Sequence, residues 1–335
     1  MHPALLGIVT ITLGVGFCLL YFYGSNLILD KIIFPAKGPN AGRNINRANM
    51  VRPWLFLAPA LIALSLYLVY PVIETLRLSL TERLPGGEYA FVGLDNYAQM
   101  MSEGKFWEAM RNNMLWLLIV PAASTGFGLL AAQLTDRIKW GNIAKSLIFM
   151  PMAISFVGAT VIWKLVYDTR PEGQDQIGLL NAVYIFFGGD APHAWITLPF
   201  WNNFFLMVVL IWIQTGFAMV ILSAALRSIP EETIEAAVVD GAGPFQIFFK
   251  IMVPQILNTI LVVWTTITIA TLKVFDIVFA MTNGQWETQV LANYMYDKMF
   301  RGLDWGVGSA SAMVIMILVL PILVWNVRNA RKEMR

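Results

Sequence analysis

Lys273 and Asp276 are opposite charges inside the apolar run 256–281. A charge in hydrocarbon is expensive and ordinarily faces a partner or a water-filled cavity. At i, i+3 the two can bond to each other, which predicts a structural ion pair near one membrane boundary. With 3.6 residues per turn, Lys273 lies about 180° around the helix from Trp264. On the Trp264 side, Trp264, Thr268, Thr271 and Phe275 follow i, i+4, i+7, i+11 and share one face. Such a stripe offers flat aromatic rings and hydroxyls to a polyhydroxylated solute. Ordinary packing of small polar residues between membrane helices would produce the same pattern. Gln214 and Phe217, on the preceding apolar run, are candidates of the same kind.

Enzyme chemistry finds little support. The chain has no H-E-x-x-H and no G-x-S-x-G. Ser309 and Ser311 sit in an apolar run with no histidine there to activate them. The two histidines, His2 and His193, lie outside any run long enough to span a bilayer. The single cysteine, Cys18, excludes an internal disulfide or a cysteine-cluster metal site. No G-x-x-x-x-G-K-[ST] occurs, so the chain offers no P-loop for ATP phosphates. No catalytic residue, metal or cofactor is expected, and ATP-driven work would need a separate chain.

The elements that must carry these residues are membrane helices. Only 13% of the 335 residues are charged and 58% are hydrophobic, against about 25% charged in soluble domains. Mean hydropathy is +0.64. Seven runs reach the roughly 20 apolar residues a span requires, at about 4–24, 54–77, 113–134, 146–167, 203–226, 256–281 and 307–326. They lack the alternation of a membrane barrel. The first run has no preceding Lys or Arg and closes on Tyr21, Phe22 and Tyr23, which predicts a retained helix rather than a cleaved signal. Fourteen of the 23 basic residues fall on alternate connections: Lys31 to Arg52, Arg137 to Lys145, Arg227 with Lys250, and Arg328 to Arg335. By the positive-inside rule these are cytoplasmic, which puts the N-terminus outside and the C-terminus inside. Residues 1–52 then form an extra helix with a basic linker, and 53–335 a six-helix domain.

The cytoplasmic connection 227–255 is far longer than two membrane helices need. Ser228-Ile229-Pro230-Glu231 fits a capping box, and Glu231 and Glu232 suit a positive helix end. Asp240-Gly241 supplies a stop, and Pro244 restarts a second short helix that runs to Pro254. Ile234, Ala237 and Val238 share one face by spacing, which suits a groove on a partner; a helix lying on lipid is the alternative.

Glu235-Ala236-Ala237-Val238-Val239-Asp240-Gly241-Ala242, followed by Ile251 and Pro254, resembles the EAA loop of binding-protein-dependent ABC importer permeases. Gln255 departs from it where an apolar residue is commoner. Phe91 to Tyr97, Pro151 with Trp163, and Gly178 to Asn181 are similar to the sugar-permease branch. Leu272 to Asp276, Thr282 to Trp286 and the extra N-terminal helix are most similar to alpha-glucoside permeases, although a Gly-Gly-Pro common after the threonine is missing.

The resemblance implies an all-α type I permease fold in the cell inner membrane, working by alternating access on a sugar. It implies two ATP-binding cassette ATPase subunits, a second permease and a periplasmic or lipid-anchored solute-binding protein as partners, with lipid around it and no nucleic acid. It assigns the ATPase contact to Glu235, Ala236, Ala237, Asp240, Gly241 and Ala242, braced by Ile251 and Pro254. An ion-coupled secondary transporter is the rival, needing charged or unwound helices in repeated halves; no repeat supports it.

Overall fold

The structure, a computed structural model, describes residues 3–333. His2 and Arg335 lie outside the described residues. The chain divides into two compact units, Met1–Glu74 and Thr75–Arg335.

In the first unit, α1 (Pro3–Ile28) ends in a wider π turn at Leu29–Ile33. α2 (Ala41–Leu64) continues through a second π turn, Ser65–Val69, into α3 (Tyr70–Ser79). Tyr21 donates its hydroxyl to the Leu55 carbonyl, and Arg52 forms an ion pair with Asp30 at 2.7 Å. The aromatic close of the first run is therefore a packing device between α1 and α2.

The second unit begins within α3, and a short hairpin follows, β1 (Thr81–Arg83) antiparallel to β2 (Tyr89–Phe91), with Glu82 opposite Ala90. α4 (Asp95–Ser102) and the long α5 (Gly104–Thr135) follow. α6 (Gly141–Phe149), α7 (Phe156–Val166) and α8 (Leu179–Phe186) lead to α9 (Trp201–Arg227). α10 (Glu231–Val239) and α11 (Pro244–Ile247) make the connection 227–255, and a π turn at Phe248–Met252 joins α11 to α12 (Val253–Gln255). α13 (Leu257–Leu272), α14 (Asp276–Met281), α15 (Leu291–Tyr296) and α16 (Trp305–Glu333) complete the chain.

Among the described residues five helices are long and apolar enough to span a membrane. Two bent pairs bring the number to the expected seven if each counts as one span: Gly141–Ala153 with Phe156–Val166, bent by 107°, and Pro244–Gln255 with Leu257–Leu272, bent by 72°. The uniform spans expected at 146–167 and 256–281 are thus corrected. The first breaks where Ile154 turns extended and the Ser155 hydroxyl caps α7 through the Gly158 amide. The second stops at Leu272, and α14 is a separate piece.

The core of this unit is built on α5 and α9. Trp116, Val120, Leu206, Leu210, Met219 and Leu222 are buried there and meet Val263 and Ile267 of α13. A Cβ added at Gly128 would collide with Ala218 and the Met219 backbone. Small residues let two membrane helices approach backbone to backbone where no hydrophobic effect draws them together.

Candidate functional site

The connection 227–255 starts directly from α9. The expected capping box does not form. α9 continues to Arg227, so the Ser228 hydroxyl closes that helix by donating to the Ala225 carbonyl at 2.7 Å. Pro230, extended at ψ 132°, takes the N-cap position of α10 instead. The stop falls where expected. Gly241 has φ +82°, its amide donates to the Val238 carbonyl at 3.0 Å, and Ala242 donates to Ala237 at 2.9 Å. These two bonds are the Schellman arrangement, which needs a left-handed residue and so favours glycine.

The loop's faces differ from the spacing argument. Ala237 is buried, and Ile234 and Ala242 pack against the core. Val238 points the other way, together with Val239 (86% exposed) and Phe245 (81% exposed). Among the expected contact residues Glu235, Ala236, Asp240, Gly241 and Pro254 are exposed, while Ile251 is half-buried against the core.

An ionic knot unseen in the sequence roots this loop. Asp136, just past α5, accepts from Arg227 Nε at 2.9 Å and Nη2 at 2.6 Å, from Ser223 Oγ at 3.0 Å, and from Lys145 of α6. Burial pushes its carboxyl up, but the bonds from Arg227, Lys145 and Ser223 outweigh it and hold it below the usual 3.8. Three elements therefore meet on one carboxylate beside the last residue of α9.

At the other end of α13 the connection 282–290 is held by buried amides. Asn112 donates to the Glu287 and Gln289 carbonyls, both at 2.8 Å. Asn113 accepts from the Leu291 amide at 2.8 Å. Asn202 donates to the Trp286 carbonyl and Asn203 to that of Glu287 at 3.2 Å. These bonds hold Trp286 and Glu287 at φ 53° and 61°, and Asn283, whose amide donates to the Val278 carbonyl, adopts φ 53°; such conformations cost a non-glycine residue about 1–3 kcal/mol. Sequence reasoning missed these four residues. Their signal was two Asn-Asn pairs near the start of apolar runs, where an amide must find a partner.

The sixth-run stripe is only partly realised. Trp264 and Thr268 are accessible on α13, although the Thr268 hydroxyl donates to the Trp264 carbonyl at 2.7 Å. Thr271 is fully buried and bonds Ile267 at 2.8 Å. Phe275 lies beyond the helix end and stacks on Phe279 at 5.0 Å, so it leaves the common face. Gln214 and Phe217 are half-buried on α9, with Phe217 packed on the core. The expected Lys273–Asp276 ion pair is also corrected: no salt bridge joins them. Lys273 follows the C-terminus of α13 and Asp276 opens α14, so each charge sits at the helix end of opposite partial charge.

The model of the family described as binding-protein-dependent transport system inner membrane component matches residues 124–330. The chain is 66% identical to the alpha-glucoside transport system permease protein AglF of Rhizobium meliloti, over 99% of each chain. It is 47% identical to the osmoprotective compounds uptake permease protein GgtC of Synechocystis, covering 83% of this chain and 99% of that one. A crystal structure of a bacterial ABC transporter that imports the acidic polysaccharide alginate contains a chain of the same fold. The TM-score is 0.72 at 21% identity, over 88% of this chain and 99% of that one.

Proposed function

The chain belongs to the binding-protein-dependent transport system inner membrane component family, and from that premise we propose that it carries alpha-glucosides or related oligosaccharides inward by alternating access. As a family member it is a multi-pass inner-membrane permease of an ABC importer, not itself an enzyme, and works with an ATPase and a substrate-binding protein. The sugar class rests on the whole-length likeness to the alpha-glucoside permease.

The observation that carries the mechanism is the cytoplasmic loop. A helix turned by Gly241 and rooted on α9 presents Val238, Val239 and Phe245 outward. In this reading Glu235, Ala236, Asp240 and Gly241 contact one of two ATPase subunits. Ala237, Ala242 and Ile251 brace that contact from the core side, and the exposed Pro254 fixes the second short helix. ATP binding pulls the loop, the Asp136 knot passes the pull to α5 and α6, and a second permease completes the pathway. Gln214, Phe217, Trp264, Thr268, Thr271 and Phe275 belong to that pathway, with Thr271 acting by packing. The N-terminus lies outside and the C-terminus in the cytoplasm. Residues 1–52 are an added helix and linker on a six-helix domain, 53–335.

The test is the complex reconstituted with its ATPase and binding protein. Maltose, an alpha-linked glucose disaccharide, should stimulate ATP hydrolysis and be taken up, while a beta-linked disaccharide should not. Stimulation by neither, or uptake that proceeds without ATP and collapses with the proton gradient, would overturn the reading.

A further inference from the structure

We propose that Lys273, Phe275 and Tyr296 form a binding site for a neutral saccharide on its way through this chain; the proposal deepens the sugar-transport reading and rests on it. A cavity of about 370 Å³ lies between the end of α13, α15 and α16, lined by Lys273, Phe275, Met295, Tyr296, Ala312 and Ile315 among others. That volume falls within the roughly 300–1,000 Å³ of small-molecule sites. Apart from Lys273 its described lining carries no charge.

The Lys273 ammonium is exposed and makes no hydrogen bond or ion pair with any described residue. It carries three donors and no acceptor. A cation at the end of a membrane helix without a partner faces water or a polar ligand. The α13 terminus beside it supplies a diffuse partial charge, not a bond.

Rings continue from the cavity toward the last connection. Phe275 meets Tyr296 at 5.2 Å, Tyr296 meets Phe300 at 5.1 Å, and Phe300 meets Trp305 at 5.7 Å. Arg301 lies over the Phe279 and Tyr296 rings at 5.5 and 5.7 Å, and Asp297 already pairs it at 3.0 Å. Arg301 therefore fixes the rings and leaves Lys273 as the free donor. A pyranose answers both features, with a C–H face for the rings and a hydroxyl edge for the ammonium. A lipid phosphate, or a carboxylate from a second permease, would answer the ammonium and leave the rings unexplained.

The experiment uses the complete reconstituted complex with maltose-loaded binding protein. Maltose uptake at saturating loaded binding protein should fall about tenfold in K273M, the loss of one charge-assisted hydrogen bond, and comparably in F275A and Y296A. K273R and Y296F should keep most of it. Subunit co-purification, maltose binding by the binding protein and basal ATP hydrolysis should be unchanged. A wild-type complex that moves no alpha-linked saccharide overturns the transport reading, and the site with it. Wild-type transport with K273M at full rate overturns the site alone. So does loss of the second permease from K273M complexes, which assigns the lysine to a subunit ion pair. A K273M defect found only in vesicles rich in anionic lipid does the same, by assigning it to a headgroup.

Discussion

The two connections that flank α13 solve opposite problems. The one after it, 282–290, adopts three left-handed non-glycine residues and is held by four buried asparagines reaching from α5 and α9. The one before it, 227–255, turns on a single glycine, uses backbone bonds for the turn, and leaves valines and a phenylalanine exposed. Strain maintained by buried amides fixes one conformation. A loop rooted on Asp136 and packed through Ala237 and Ile247 onto the core moves with the helices it rests on. In the proposed reading the difference fits presentation at 282–290 and transmission at 227–255.

The sharpest way to break this contrast is Gly241→Val. A β-branched residue at φ +82° costs about 1–2 kcal/mol or more, so the turn re-forms differently. Uptake should fall at least about tenfold while ATP hydrolysis persists, read as the ratio of the two rates. Asn203→Ala beside the 282–290 connection should instead act on stability. It removes the acceptor of the buried Trp116 indole N–H, which donates to Asn203 Oδ1 at 3.4 Å, and should cost about 1–3 kcal/mol, seen as a lower Tm of the purified complex with ATPase binding retained. Val239→Asp should weaken ATPase co-purification and leave Tm unchanged, since the side chain touches little of its own chain.

Two smaller effects sharpen the picture. Ser228→Ala should change stability by less than about 0.5 kcal/mol, because no capping box exists to lose. Asp136 gains its bonds as an anion. Its contribution is therefore fully present above the unfolded value, 3.8, and lost only as pH falls through its lower folded value. Knot-dependent stability should stay flat from pH 5 to 8, and Asp136→Asn should lower Tm at every pH in that window.

Much of this was legible in residue order because hydropathy and helix punctuation are local. The spans, the Gly241 stop and the Pro244 restart all follow from neighbours within a turn or two. The break at Ile154–Ser155 was not, since no glycine, proline or charge marks it, and the stop at Leu272 was masked because Lys273 and Asp276 have the i, i+3 spacing of an ion pair within one continuous helix. The inward turn of Ile234 and Ala237 depends on the core opposite them, which spacing does not encode. Asp136 with Arg227, and Asn112 with Glu287, are partners 91 and 175 residues apart. Only the fold brings them together.

Gly128 and Ala218 leave no cushion of side chains between α5 and α9. Close-packed surfaces of that kind resist shear and do not compress. These two long rods of the second unit therefore behave as a keel. Rocking between outward and inward openings must be absorbed at the hinges beside it, at the 107° corner after Met152–Ala153 and the 72° corner at Ile256.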